Sequence, residues 1–289
     1  MTQETIRRYR SSIVGFIQFI IEREGEIERV DVDTLRGYLY HLREGRKVSQ
    51  KTVENSFAAL SSFYDYLSFE GDVSTNLILP FRRRYLRMYK EDYQGPERKL
   101  LSVEEMGRLV NGILDPRDKA IAVFLAKTGV RRGELLRIDE DDLNWRDYSV
   151  TLMPAAKRSN RVVFFDDECA ILLRRWLAVR EKLRPKTKAL FVSYQSLNRL
   201  DRNGCYQAIL KHARRMGFHD SKSPRLEDHF GPHCFRHFFT TFLLRNGMPR
   251  EYVKELRGDS RREAIDIYHH IDREELRKSY LAAVPKLGI

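Results

Sequence analysis

Apolar positions in the first 85 residues recur at helical spacing in three runs separated by polar stretches. Tyr9, Ile13, Phe16, Ile17 and Ile20 form one stripe, and Val32, Leu35, Leu39 and Leu42 a second, behind a cap at Asp31 or Asp33. Ser49 precedes a third run, in which Val53, Phe57, Leu60, Tyr64 and Leu67 share a face. Arg82, Arg83 and Arg84 then begin a polar passage to Gly95-Pro96 that reads as an unstructured linker. Beyond it, Ser102 and Glu105 make a capping box before Met106, Leu109, Val110 and Ile113. The next helix, Arg117 to Lys127, stops at Thr128-Gly129. Ser149 to Met153 and Arg161 to Phe165 read as two short strands joined by a turn. Helices follow around Ile171, Leu172, Trp176 and Leu177, and around Tyr206, Ile209 and Leu210. A further helix places Phe235, Phe238, Phe239, Phe242 and Leu243 inward, ends at Gly247 and Pro249, and leads to one carrying Val253 and Leu256. The fold class is therefore mainly α with a small β-sheet, of the α+β kind. A helical domain spans 1–85, a linker 86–99 and a second domain 100–289. No repeat or low-complexity tract interrupts the pattern.

Charge sharpens this division. The chain of 289 residues has a formal net charge of +12. Residues 1–95 are nearly balanced, with 15 Lys and Arg against 14 Asp and Glu, while the remainder holds 38 against 27. The second domain thus carries the attraction expected toward a polyanion such as a phosphate backbone, the alternative being a generally basic soluble protein. The outer helix faces of the first domain also carry basic residues, among them Arg43, Lys47 and Lys51. With Arg82, Arg83, Arg84, Arg158 and Arg161 these are the candidate DNA contacts, although solvated helix surfaces would look the same. No apolar run approaches the ~20 residues of a membrane span, and the first residues lack an apolar signal core, so a cytoplasmic protein is expected. Cys169, Cys205 and Cys234 are odd in number and widely spaced, which suits buried thiols better than disulfides or zinc.

Three short motifs carry candidate chemistry. His233 and Arg236 lie three residues apart and share a helix face. Arg131 and Glu134 stand in TGVRRGEL, residues 128–135, and Lys157 lies in the turn between the two strands. Tyr268 follows Gly258 and Asp259 near the end of the chain. These residues resemble, box by box, the tyrosine recombinases of the phage integrase and Xer family: T-G-x-R-x-x-E-L, a lysine on a β-hairpin, H-x-x-R-H and a late tyrosine. The run from Thr52 to Leu67, T-x-x-x-x-x-x-A-L-x-x-F-Y-x-Y-L, extends the resemblance into the first domain. Single boxes are weak signals, but three in order with the lysine and the tyrosine are specific. LRGDSRREAIDIYHHIDREEL looks like archaeal members.

The resemblance implies a SAM-like helical core-binding domain followed by a tyrosine-recombinase catalytic domain, closing around duplex DNA. It also implies site-specific cutting and rejoining through a 3′-phosphotyrosine. The residue types suit that chemistry. Arg131 and Arg236 can donate forked hydrogen bonds to non-bridging phosphate oxygens and stay charged. His233 can take the proton of Tyr268, Lys157 can protonate the leaving 5′ oxygen, and Glu134 orients its neighbours. No cofactor, metal or ATP is called for. His233 and His237 are spaced for a metal but lack a third ligand. The implied assembly is a homotetramer on two DNA sites. The tail, with Leu276, Tyr280, Leu281 and Val284, is expected to dock on a neighbouring subunit.

One position departs from the family. Where a histidine or tryptophan usually follows the glycine, this chain has Asp259. An ionised carboxylate cannot donate to a phosphate oxygen, so Asp259 is expected to hold Arg257, Arg261 or Arg262 against the substrate. Two alternatives remain at the level of sequence: DNA relaxation of the type IB topoisomerase kind, and DNA binding without cleavage.

Overall fold

The computed structural model describes residues 3–86, 99–153, 161–259 and 271–289. The chain forms two compact units, residues 1–95 and 96–289.

The first unit is helical. Helix α1 spans Gln3–Ile21, α2 Val32–Tyr40, α3 Gln50–Glu70 and α4 Ile78–Phe81. Of the two candidate caps of α2, Asp31 is the one used, its carboxylate accepting from the Thr34 N–H at 2.8 Å. Ser49 caps α3 in the same way. The three stripes meet as expected, but two aromatics outside them, Phe19 and Tyr38, are also fully enclosed, with ring centroids 5.1 Å apart. Val32 lies instead on the surface. Burial of such aromatic and aliphatic side chains contributes roughly 1.5–3 kcal/mol each. Arg82, Arg83 and Arg84 do not begin an unstructured passage. Arg82–Leu86 continues α4 as a wider π-helical turn, because Tyr85 and Leu86 still have core to cover.

The second unit is built around α6 (Pro116–Thr128), whose sequence PRDKAIAVFLAKT is apolar nearly all round and buried along almost its whole length. Helix α5 (Val103–Asn111) begins with the expected capping box, and α7 (Arg132–Leu135) follows α6. Among the described residues an antiparallel sheet runs β1 (Leu143–Asn144), β2 (Ser149–Leu152), β3 (Arg161–Phe164), with Val150 opposite Val163. The two-residue β1 was too short to show a period in the sequence. Helices α8 (Asp167–Leu183), α9 (Arg202–Arg215), α10 (Pro232–Arg245), α11 (Arg250–Arg257) and α12 (Arg273–Ala283) complete the unit. No described helix is long and apolar enough to cross a membrane. The three cysteines are free and buried.

The tail corrects an expectation. Helix α12 packs on its own chain, with Leu276, Tyr280 and Val284 in a cluster with Phe164, Phe239 and Leu256. The Tyr280 hydroxyl donates to Lys127 O at 2.9 Å. Residues 287–289 lay their backbone N–H groups on the Glu168 carboxylate at 2.7–3.1 Å. Lys127, with no exposed surface, donates to Asp166 and to Pro285 O, each at 2.7 Å, and to Glu168. A buried ammonium needs such a full set of acceptors, and the chain's own tail supplies one of them.

Candidate active site

Helix α6 ends at Gly129, where φ is +60°; a Cβ there would lie 2.2 Å from the Phe239 ring. Only glycine allows this close turn, which puts Arg131 at the head of α7. The Arg131 N–H donates to Glu134 Oε2 at 2.8 Å and its Nη1 to Glu134 Oε1 at 3.3 Å. Helix α10 starts at Gly231-Pro232 and presents His233 on the surface, while Arg236 one turn later is only 5% exposed. The apolar residues that share α10 with it hold that face against α6 and the α11–α12 cluster.

Both guanidiniums turn to the end of α11. Arg131 Nη1 and Arg236 Nη2 donate to the same carbonyl, Arg257 O, at 3.0 and 2.9 Å. Last-turn carbonyls of a helix lack partners within it and carry partial negative charge, so they suit cations. Arg236 Nη1 also donates to Gly129 O at 2.8 Å, which ties α10 to the turn after α6. Arg236 Nη2 and Arg131 Nη2 also converge on one atom: Asp259 Oδ1 lies 3.2 Å from the first and 3.5 Å from the second. Asp259 Oδ2 is 3.2 Å from Arg257 Nε. Of the expected Asp259 partners, Arg257 is thus present, Arg131 and Arg236 are additional, and Arg261 and Arg262 lie outside the described residues. Burial, then the charges of Arg131 and Arg257, pull the Arg236 pKa down, and Asp259 and Glu134 oppose this.

Arg161 is not available to DNA. It is 5% exposed and forms a bidentate pair with Glu134, Nη1–Oε1 at 3.1 Å and Nη2–Oε2 at 2.8 Å. Its Nε donates to Leu256 O at 3.0 Å. Alternation along β3 turns Arg161 inward with Val163, which a count of basic residues does not show. Burial alone would raise the Glu134 carboxyl, but Arg161 and the Arg131 backbone and charge hold it at about 2. Glu134 therefore stays ionised and accepts from both the backbone and the guanidinium of Arg131.

Beside these groups lies a cleft of about 490 Å³, lined by Arg131, Arg132, Arg202, Tyr206, His233 and Arg236 among others. Arg132 sits 5.7 Å from the Tyr206 ring centroid. Arg132, Arg202 and Tyr206 were not singled out from the sequence as site residues. Arg132 had a signal there, as the second arginine of VRRGEL; the other two are brought in only by the packing of α9. Lys157, Arg158 and Tyr268 lie outside the described residues. In the first unit Arg43 is half-buried and donates to Gln50 at 3.3 Å, Lys47 is exposed ahead of α3 and Lys51 in its first turn, and Arg83 and Arg84 are exposed. Among the described residues no group of three His, Cys, Asp or Glu is placed to hold a metal.

Residues 98–275 match the Phage integrase family, and residues 1–71 match its N-terminal SAM-like domain. The chain belongs to the phage integrase family. Among its relatives, the tyrosine recombinase XerC of Herpetosiphon aurantiacus is 27% identical over 292 residues, covering 98% of this chain and 90% of the relative. That of Haemophilus influenzae is 27% identical over 293 residues, covering 99% and 92%. The fold is shared with the Tn1549 transposon integrase in complex with transposon right end DNA, at a TM-score of 0.72, 17% identity and coverage of 96% and 93%. It is also shared with the XerH site-specific recombinase bound to a palindromic difH substrate, at 0.71, 19% identity and coverage of 95% and 78%. The mainly helical α+β architecture with a SAM-like first domain is that of the family.

Proposed function

We infer that this protein is a site-specific DNA recombinase of the tyrosine type, cutting and rejoining duplex DNA. The observation that carries the reading is the convergence of Arg131 and Arg236, from separate helices, on a single carboxylate oxygen. Two guanidiniums aimed at one oxygen suit a non-bridging oxygen of a phosphodiester, where charge grows as the phosphorus is attacked.

In this reading the Tyr268 oxygen bonds to phosphorus and the P–O5′ bond breaks. Lys157 gives its proton to the departing 5′ oxygen, and His233, exposed at the cleft, receives the tyrosine proton. The 3′-phosphotyrosine keeps the bond energy, so a 5′-hydroxyl of another strand reverses the step. Glu134, held ionised by Arg161, keeps Arg131 in place. Arg43, Lys47, Lys51, Arg83 and Arg84 contact the DNA backbone, and four copies assemble on two sites.

The test begins with selection of bound sequences from random duplexes. The selected site is then nicked beside the cleavage position and incubated with the protein. A covalent adduct is expected, with none from Tyr268→Phe; an adduct that survives this substitution refutes the assignment. Arg131→Ala should slow adduct formation by about 10²–10³. Two-site plasmids should give recombinant joints, and relaxed circles alone would assign the chain to topoisomerase chemistry.

A further inference from the structure

Four arginines and two carboxylates meet at this site, and their pairing is uneven. Glu134 is taken up by the bidentate grip of Arg161 and by the Arg131 backbone. Asp259 is left as the carboxylate within reach of Arg131, Arg236 and Arg257 together. Arg236 has only 6% of its side chain exposed, so its charge needs an anion nearby whether or not DNA is bound. Asp259 itself is 31% exposed at the edge of the cluster, where a competitor can reach it.

The backbone explains why this carboxylate arrives there. Gly258 closes α11 at φ +61°, and a Cβ on it would lie 2.4 Å from Arg161 Nη1. The Asp259 N–H then returns to Lys254 O at 3.3 Å. The chain is bent tightly over Arg161, and the next side chain is delivered to the two guanidiniums. Oδ1 takes one donor from each, which is the hydrogen-bonding pattern of a non-bridging phosphate oxygen.

We propose that Asp259 is a positioning residue that fills the phosphate seat of the DNA-free protein, and that the DNA phosphate enters by displacing it. This rests on the reading of Arg131 and Arg236 as phosphate ligands. While seated, Asp259 keeps the two guanidiniums aimed at one point and offsets their repulsion. It also competes: the apparent affinity of any anion for the seat falls by the fraction of molecules in which the seat is open. A neutral side chain of the same shape removes the competitor and leaves the arginines in place.

The test is calorimetric titration of the full chain with inorganic phosphate. Asp259→Asn should bind phosphate about tenfold more tightly than the parent, and Asp259→Ser should do the same. Asp259→Glu, which restores a carboxylate, should return the affinity toward the parent value. Asp141→Asn, which removes the same charge from an exposed position, should change it by less than about twofold. The gain should vanish when Arg131→Ala is added to Asp259→Asn. Equal affinities for Asp259→Asn and the parent, or a gain that survives Arg131→Ala, overturn the proposal. The covalent-adduct assay keeps the two readings apart. An adduct without tighter phosphate binding removes the Asp259 proposal and leaves the recombinase; tighter binding without an adduct does the reverse.

Discussion

Arg161 and Glu134 make the most consequential pair of side chains in the second unit. A buried ion pair adds little over an apolar pair of equal volume, but losing one partner strands the other charge. Glu134→Ala is therefore expected to destabilise the protein by about 3–5 kcal/mol in chemical denaturation, and to slow adduct formation beyond that loss because Arg131 also drifts. Protonation should act in the same direction. The folded-state pKa of Glu134 is about 2, against an ordinary 4.5, so its contribution is complete above about pH 5 and lost as the pH falls toward 2. Glu134→Gln should flatten that part of the pH–stability curve. Arg161 shows where single residues mislead: in the sequence it is one more cation of a basic hairpin. The strand register, set by tertiary pairing of β3 with β2, turns it inward.

At the scale of elements, helices were legible where their apolar stripes were. The caps at Asp31, Ser49 and Ser102 stand where the sequence placed them, because an N-cap needs only local hydrogen bonds. Elements held by distant partners were not legible. The tail docks on its own chain because Lys127 is sealed under it, and nothing local in residues 284–289 states that Asp166 and Glu168 are waiting. Lys127→Met should cost about 3–5 kcal/mol, since Asp166 and Glu168 lose their buried counter-charge and keep only Lys286 and backbone N–H groups. Removing residues 285–289 should cost less, because Lys127 keeps both of its ion-pair partners. Denaturant midpoints of the two variants give the order, and a tail deletion that costs more than Lys127→Met refutes this account.

Over the whole molecule the net charge is +12, most of it on the second unit, and binding to DNA should weaken steeply with salt. The slope of log affinity against log salt shrinks by roughly 0.9 for each phosphate that the protein no longer neutralises. Replacing Arg83 and Arg84 together by Ala should lower its magnitude by about 2, measured by fluorescence anisotropy across a salt series. An unchanged slope would mean that these exposed arginines do not touch the backbone. The same measurement on Arg161→Lys should show no change of slope, since that residue is buried against Glu134 and the end of α11.

The sequence by itself determined the mainly helical class, the core stripes, the helix caps and the family boxes. Each of these is written in local spacing: 3.6-residue periods, a capping residue, or a motif of fixed length. Only the tertiary structure decided which charges face each other. It put Arg161 on Glu134 and not on DNA, laid the tail on Lys127, and brought Asp259 to Arg236 and to Arg131, the latter more than a hundred residues away along the chain. Partners for buried charges are chosen by packing, because a desolvated charge takes whichever counter-charge the fold delivers, however far away it lies in sequence.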